Sequence, residues 1–233
     1  MKSLRIIVAA AAILLSLSGA KGQNYEPKDT WPYLVSDFTV GEIRMANGGI
    51  VSSKEMNINV IDGKLHYLEN NVIMVAEMLQ VTGASFGGRE FVNVLGRMME
   101  VKSSDDKGLV LNDVQVDKDK MAKTDIGYGI SSATASSQNV TSLLGDSSTA
   151  LVNMDFTQAI SRRASGTVLP LMEQLYLKIQ SDILPASKKD VLSLSFVDKS
   201  AADAFFKASK TKWKSPEMLL KVADFIYDQK QNK

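Results

Sequence analysis

Cysteine is absent from the 233 residues, and histidine occurs once. The first absence excludes disulfides, thiolate metal sites, cysteine nucleophiles and the lipidated amino-terminal cysteine of a bacterial lipoprotein. The second leaves His66 alone, so a hydrolytic triad or a zinc site built on histidines would have to use it with partners that the chain does not supply. A strand-surface or packed histidine is the simpler reading of His66. Long apolar runs are missing too. The longest, Ile6 to Leu17, has twelve residues, short of the roughly 20 that a helix needs to cross a bilayer. No block of one charge sign stands out, so the electrostatic footprint expected of a nucleic-acid binder is lacking.

What is present begins with an export signal. Lys2 and Arg5 form a positive n-region, Ile6 to Leu17 an apolar h-region, and Ser18, Gly19 and Ala20 supply small residues for a peptidase, with cleavage after Ala20 or Gly22. Residues 1–22 are therefore read as a signal peptide, and the mature chain is expected without a transmembrane helix. Removing Lys2, Arg5 and Lys21 takes the basic residues from 27 to 24 against 26 acidic ones, a net charge of about −2. About 210 residues remain, enough for a core that hides roughly 70% of the unfolded surface without any cross-link.

Residues 24–38 (NYEPKDTWPYLVSDF) are non-periodic and aromatic-rich, an extended strap in which Trp31, Tyr33 and Phe38 either plug one end of a core or form an exposed platform. From Val40 to about Asp117 the period is two. Met56, Ile58 and Val60 alternate with Asn57 and Asn59, the pattern of a half-buried strand, and Asp62-Gly63 then predicts a tight hairpin into Lys64 to Glu69. Asn47-Gly48-Gly49 separates Gly41–Ala46 from Ile50–Ser53, and Asn70-Asn71 precedes Val72–Ala76. Met78–Thr82, Phe91–Leu95, Arg97–Lys102 and Leu109–Val116 complete six to eight strands, divided by Gly87-Gly88, Gly96 and Ser103–Gly108. Such a meander curls into a barrel or takes a second element on one face.

Ten of the twenty-four residues 127–150 are Ser or Thr, so 124–150 reads as a Ser/Thr/Gly-rich insertion; Asn139-Val140-Thr141 within it is formally a glycosylation sequon. A late strand through Leu175, Leu177 and Ile179 rejoins the sheet. After Pro185 the period becomes 3.6. Ser187 with Asp190 starts one helix, and Asp198 caps a second with Ala201, Ala204, Phe205 and Ala208 on one side. Ser215-Pro216-Glu217 opens a third carrying Met218, Leu219, Val222, Phe225 and Ile226. The lysines of this tail (Lys207, Lys210, Lys212, Lys214, Lys221, Lys230, Lys233) are interleaved with acids, a solvated face or an acidic-partner patch. The fold class is α+β: a mainly antiparallel β meander, curled or barrel-like, over 23–186, with a helical segment at 187–233 packed on it.

Candidate chemistry is sparse. Asp105-Asp106, and Asp117 with Asp119, are carboxylate pairs in turns; Asp117-Lys118-Asp119 lacks the glycine and terminal glutamate of a calcium loop. Gly83 to Gly88 (GASFGG) precedes a strand and suits a hairpin rather than a phosphate loop, and Arg162-Arg163 is either loop charge or an anion contact. No catalytic, cofactor or metal residue is assigned.

Trp31-Pro32-Tyr33-Leu34 with Phe38 and Gly41, the strand-turn run from Asn47-Gly48 to Leu65, and the ending from Lys188-Lys189-Asp190 to Phe225 resemble secreted proteins of unknown function common in Bacteroidetes. The resemblance implies a signal peptide, a strand-rich body with a Ser/Gly-rich insertion, lysine-rich terminal helices and a Gram-negative setting, in the periplasm or on the cell surface. It transfers no catalytic residue. The leading expectation is thus an exported, non-enzymatic envelope protein that binds another protein or a cell-surface polymer. One alternative is a carrier of an apolar small molecule, its curled sheet lined by Met45, Met56, Met74, Met78, Met98 and Met99. Another is a hydrolase built on two dispersed carboxylates, recognisable by two facing acids in a cleft, one with a raised pKa.

Overall fold

The computed structural model describes residues 32–120, 155, 157 and 170–232. The signal peptide, Trp31, the 124–150 insertion with its sequon, and Arg162-Arg163 lie outside the described residues. Ten strands form one antiparallel sheet: β1 Thr39–Met45, β2 Ile50–Ile58, β3 Leu65–Glu69, β4 Val72–Val75, β5 Val81–Phe86, β6 Arg89–Val94, β7 Arg97–Ser104, β8 Leu109–Val116, β9 Leu171–Ile179 and β10 Asp182–Pro185. Three helices follow, α1 Lys188–Ser193, α2 Lys199–Ser209 and α3 Pro216–Gln231. The spatial order is β10-β9-β8-β7-β6-β5-β1-β2-β3-β4. Two meanders, β1–β4 and β5–β10, are thus joined side by side through the β1–β5 pair, and the sheet is open, with β4 and β10 at its edges.

Most turns follow from local chemistry. Asn70 and Asn71 have φ of 50° and 62°, and Gly87-Gly88 have 57° and 71°, the two positive values that a two-residue hairpin compatible with strand twist requires. The β2–β3 connection differs from the expected tight turn. The Asn59 N–H donates to the Lys64 carbonyl at 3.0 Å, and residues 60–63 form a wider loop pinned by the Asn59 and Asp62 side chains, which accept from the N–H groups of Ile61 and Lys64. The fifth strand is also displaced, covering Val81–Phe86 rather than Met78–Thr82, so most of GASFGG is strand. Gly83 is required there because a Cβ would sit 2.6 Å from the Phe91 carbonyl and from the Arg44 guanidinium that donates to it.

Asn57 and Asn59 were expected on a solvated face, yet both are fully buried. The strap from Pro32 to Phe38 covers them: the Leu34 N–H donates to the Ile58 carbonyl, the Val60 N–H to that of Pro32, and the Asn57 amide donates to the Val35 and Asp37 carbonyls. Tyr33 and Phe38, packed edge to face at 4.8 Å, are buried, as a plug requires.

The amino-terminal half is curled. The Met98 N–H donates to the Gly63 carbonyl at 2.8 Å, although β7 and β2 are four strands apart in the sheet, about 19 Å if it were flat. Inside the curl lies a first core containing Ile43, Met56, Ile58, Leu65, Phe86, Phe91 and Met98. A second core, Val110, Leu177 and Ile179 against Phe206, Leu219, Val222, Ala223 and Ile226, joins the β7–β10 half to the helices. Ser187, Asp198 and Ser215 cap the three helices as expected, and the buried stripe of α3 matches the periodicity. In α2 the buried residues are Ala202 and Phe206, one position on from the expected face. Phe206 meets Trp213 and Phe225 edge to face, whereas Phe205 stacks on Phe225. The β10 hairpin was not foreseen. It pairs with β9 from Asp182↔Ile179 to Pro185↔Tyr176, and Asp182 anchors Lys230 of α3 at 2.7 Å.

Candidate functional site

Strand register builds a polar band between the two cores. Glu100 of β7 lies opposite Asn112 of β8, and Asn112 lies opposite Leu175 of β9, so Glu173, two residues back along β9, shares their face. Glu100 is 8% exposed and pairs with Arg89 from β6 and with Lys102 at 2.9 Å. Burial works against its charge, but the two cations and their hydrogen bonds hold the Glu100 carboxyl below its ordinary range. Asn112 is 2% exposed; its Nδ2 donates to Glu173 Oε2 at 3.0 Å, and its Oδ1 has no partner among the described residues.

Beside this band the sheet and the helices leave a cleft of about 490 Å³. Lys102, Glu173, Gln174 and Leu175 line it from the sheet, and Trp213, Lys214 and Pro216 from the α2–α3 connection. Each wall is fixed from behind. Lys102 is held by Glu100, Glu173 by Asn112, and the Trp213 indole by Phe206, whose ring it meets edge to face at 5.2 Å. Pro216 is the first residue of α3, placed by the Ser215 cap. The lining thus presents an indole, one carboxylate and the Lys102 ammonium held by buried neighbours, together with the exposed Lys214, an arrangement suited to orienting a polar ligand.

The residues singled out from sequence lie elsewhere. His66 is fully buried; Tyr33 Oη is 3.0 Å from its Nδ1, and its Nε2 is 3.9 Å from Asp62 Oδ2, beyond direct hydrogen-bonding distance. This is the packed histidine. Asp105 accepts from the N–H groups of Lys107 and Gly108 in a surface turn, and Asp117 accepts from the N–H of Lys120. Among the described residues no group of three or more histidines and carboxylates is placed to hold a metal ion, and no helix is long and apolar enough to cross a membrane. Two carboxylates do face one another, Asp105 of the β7–β8 turn and Asp224 of α3, with the Asp224 pKa raised by burial and by Asp105. Neither lines the cleft.

The chain matches no protein-family model, no curated protein and no solved structure. The site is therefore read from its own chemistry. Glu100, Asn112, Glu173 and Trp213 escaped sequence reasoning. For Glu100 and Asn112 the one local signal was a polar residue at an inward position of a strand, as in Leu109–Val116, where Val110 and Asn112 point the same way.

Proposed function

We propose that the protein is an exported, non-enzymatic envelope module that binds a partner protein or a cell-surface polymer in the cleft between its sheet and its helices. The observation that carries this reading is the support behind the lining. Buried Asn112 and Glu100 are given over to aiming Glu173 and Lys102, a use of buried polar groups that an ordinary solvated surface does not need. The lining contains a single carboxylate and no histidine, which favours binding over acid–base chemistry. The charged n-region and apolar run of residues 2–17 support export.

The test is retention on envelopes isolated from the protein's own host. The full chain should sediment with them, and Glu173→Gln and Lys214→Met should each release it, with far-ultraviolet circular dichroism unchanged. Equal retention of all three would remove the cleft as the site. Covalent change in a captured polymer, followed by mass spectrometry, would overturn the non-enzymatic assignment. Recovery of the chain from the cytoplasm with Met1 still attached would overturn export.

A further inference from the structure

Resting on that reading of the cleft, we propose that its ligand is a neutral saccharide, a short run of uncharged sugar rings within a larger polymer. Three observations point there. First, charge of both signs lines the cleft: Lys102 and Lys214 stand beside Glu173, and Lys102 is already paired with Glu100 behind it, which also holds Arg89 of β6. A polyanion would meet Glu173, and a polycation would meet two lysines. Second, the free hydrogen-bonding capacity is of both kinds. Glu173 Oε2 is taken by Asn112, but Oε1 has no partner among the described residues, and neither the exposed Lys214 ammonium nor the Trp213 indole N–H has one. Sugar hydroxyls donate and accept at once, so one ring can give a hydrogen to Glu173 and accept from Lys214. Third, Trp213 meets Phe206 by edge-to-face contact and is half-buried at the cleft wall, an apolar surface on which the C–H face of a sugar ring can rest. Buried Asn112, whose Oδ1 has no partner among the described residues, adds a further reason for the band to face a hydrogen-bonding ligand or the water that accompanies one. The cleft volume of about 490 Å³ falls in the range of small-ligand sites, about 300–1,000 Å³.

The probes are neutral hexasaccharides of glucose, mannose and galactose, set against hexamers of galacturonic acid and of glucosamine. Each is titrated into the full chain by calorimetry. Trp31→Phe leaves Trp213 as the only tryptophan, so its fluorescence gives a second, local readout. At least one neutral probe is expected to bind and to shift Trp213 emission. Lys214→Met, which removes a charged donor, should weaken that binding roughly tenfold or more, and Glu173→Gln, which keeps only a neutral hydrogen bond, should weaken it about threefold to tenfold. Trp213→Phe should weaken it less than Trp213→Ala, and Lys214→Met, an exposed position, keeps the test independent of folding. Binding of only the galacturonate or glucosamine hexamer overturns the proposal. Should no probe bind while Glu173→Gln still releases the protein from envelopes, the saccharide is wrong and the cleft reading stands with a protein partner. Should neither occur, both fall.

Discussion

The Tyr33 hydroxyl and Nδ1 of His66 lie 3.0 Å apart with both side chains fully buried, joining the amino-terminal strap to β3. The carboxylate of Asp62, 3.9 Å from Nε2, favours the ring hydrogen on that nitrogen, so Tyr33 donates to Nδ1. Burial and the Asp62 charge both push the Tyr33 pKa up, which keeps it a donor at every ordinary pH. Burial works against the Asp62 carboxylate, but the His66 ring together with the Lys64 N–H and charge hold it below its usual range. The strap is therefore part of the folded body rather than a loose leader.

Tyr33→Phe keeps the ring and removes the donor. It leaves His66 Nδ1 buried and unpaired, at a cost of about 1–3 kcal/mol. The urea midpoint should fall accordingly, with little change in the slope of the transition. An unchanged midpoint would mean that the hydroxyl contributes nothing to holding the strap.

Glu100→Gln tests the charge behind the cleft. Because the folded pKa of Glu100 is depressed, its stabilising contribution is complete above the unfolded value near 4.3 and is lost as pH falls through the folded value. Wild type should exceed the variant by about 1.5–3 kcal/mol at pH 7, the worth of a hydrogen bond to a charged group, and the gap should be narrower at pH 3. Urea titrations at the two pH values decide it. A gap that does not change with pH would assign the cost to packing rather than to charge.

These two clusters mark how far the sequence could be read. Hairpins at Asn70-Asn71 and Gly87-Gly88 and caps at Ser187, Asp198 and Ser215 depend on neighbours a few positions away, and the pattern exposes them. The burial of Asn57 and Asn59 depends on the strap 22 positions earlier, through the Asn57–Val35 bonds, and alternation alone puts both on the solvent side. The one-residue error in α2 has the same origin, since Phe205 and Phe206 are equivalent until Trp213 and Phe225 choose between them. The cleft was the least legible. Asn112 and Glu173 stand 61 positions apart and become neighbours only through the β8–β9 register.

Gly41→Ala probes the seam between the two meanders. A Cβ at Gly41 would lie 2.0 Å from the Ser85 carbonyl oxygen and 2.6 Å from Phe86 Cβ, where β1 pairs with β5. Backbone cannot give way there as a flexible side chain can, so the cost is expected at or above the top of the usual 1–3 kcal/mol for overpacking, about 3 kcal/mol. Gly48→Ala is the control. Gly48 has open space but a φ of +83°, so only backbone strain of about 1–2 kcal/mol applies. Equal effects of the two substitutions on thermal midpoint would refute the steric account of the seam.

Asp224→Asn is expected to stabilise the protein at neutral pH. Asp224 and Asp105 face each other with no hydrogen between them when both are ionised, which leaves Asp224 Oδ1 buried and without a partner among the described residues. The pair is asymmetric. The Lys107 and Gly108 N–H groups and the Lys107 charge hold Asp105 ionised, with its pKa lowered, whereas burial and the Asp105 carboxylate push Asp224 up, so a shared proton resides on Asp224. For a carboxyl whose folded pKa is raised, the stabilising contribution is present below its unfolded value and is lost as pH rises through the folded value. Wild type therefore gives up this contact on approaching neutrality, while an asparagine amide donates to Asp105 at any pH. Thermal midpoints should favour Asp224→Asn at pH 7 and converge with wild type at pH 4. Convergence at pH 7 instead, or a variant less stable at both, would mean that the two carboxylates are solvated independently and that the β7–β8 turn is held to α3 by other contacts, Lys107–Asp228 at 2.9 Å among them.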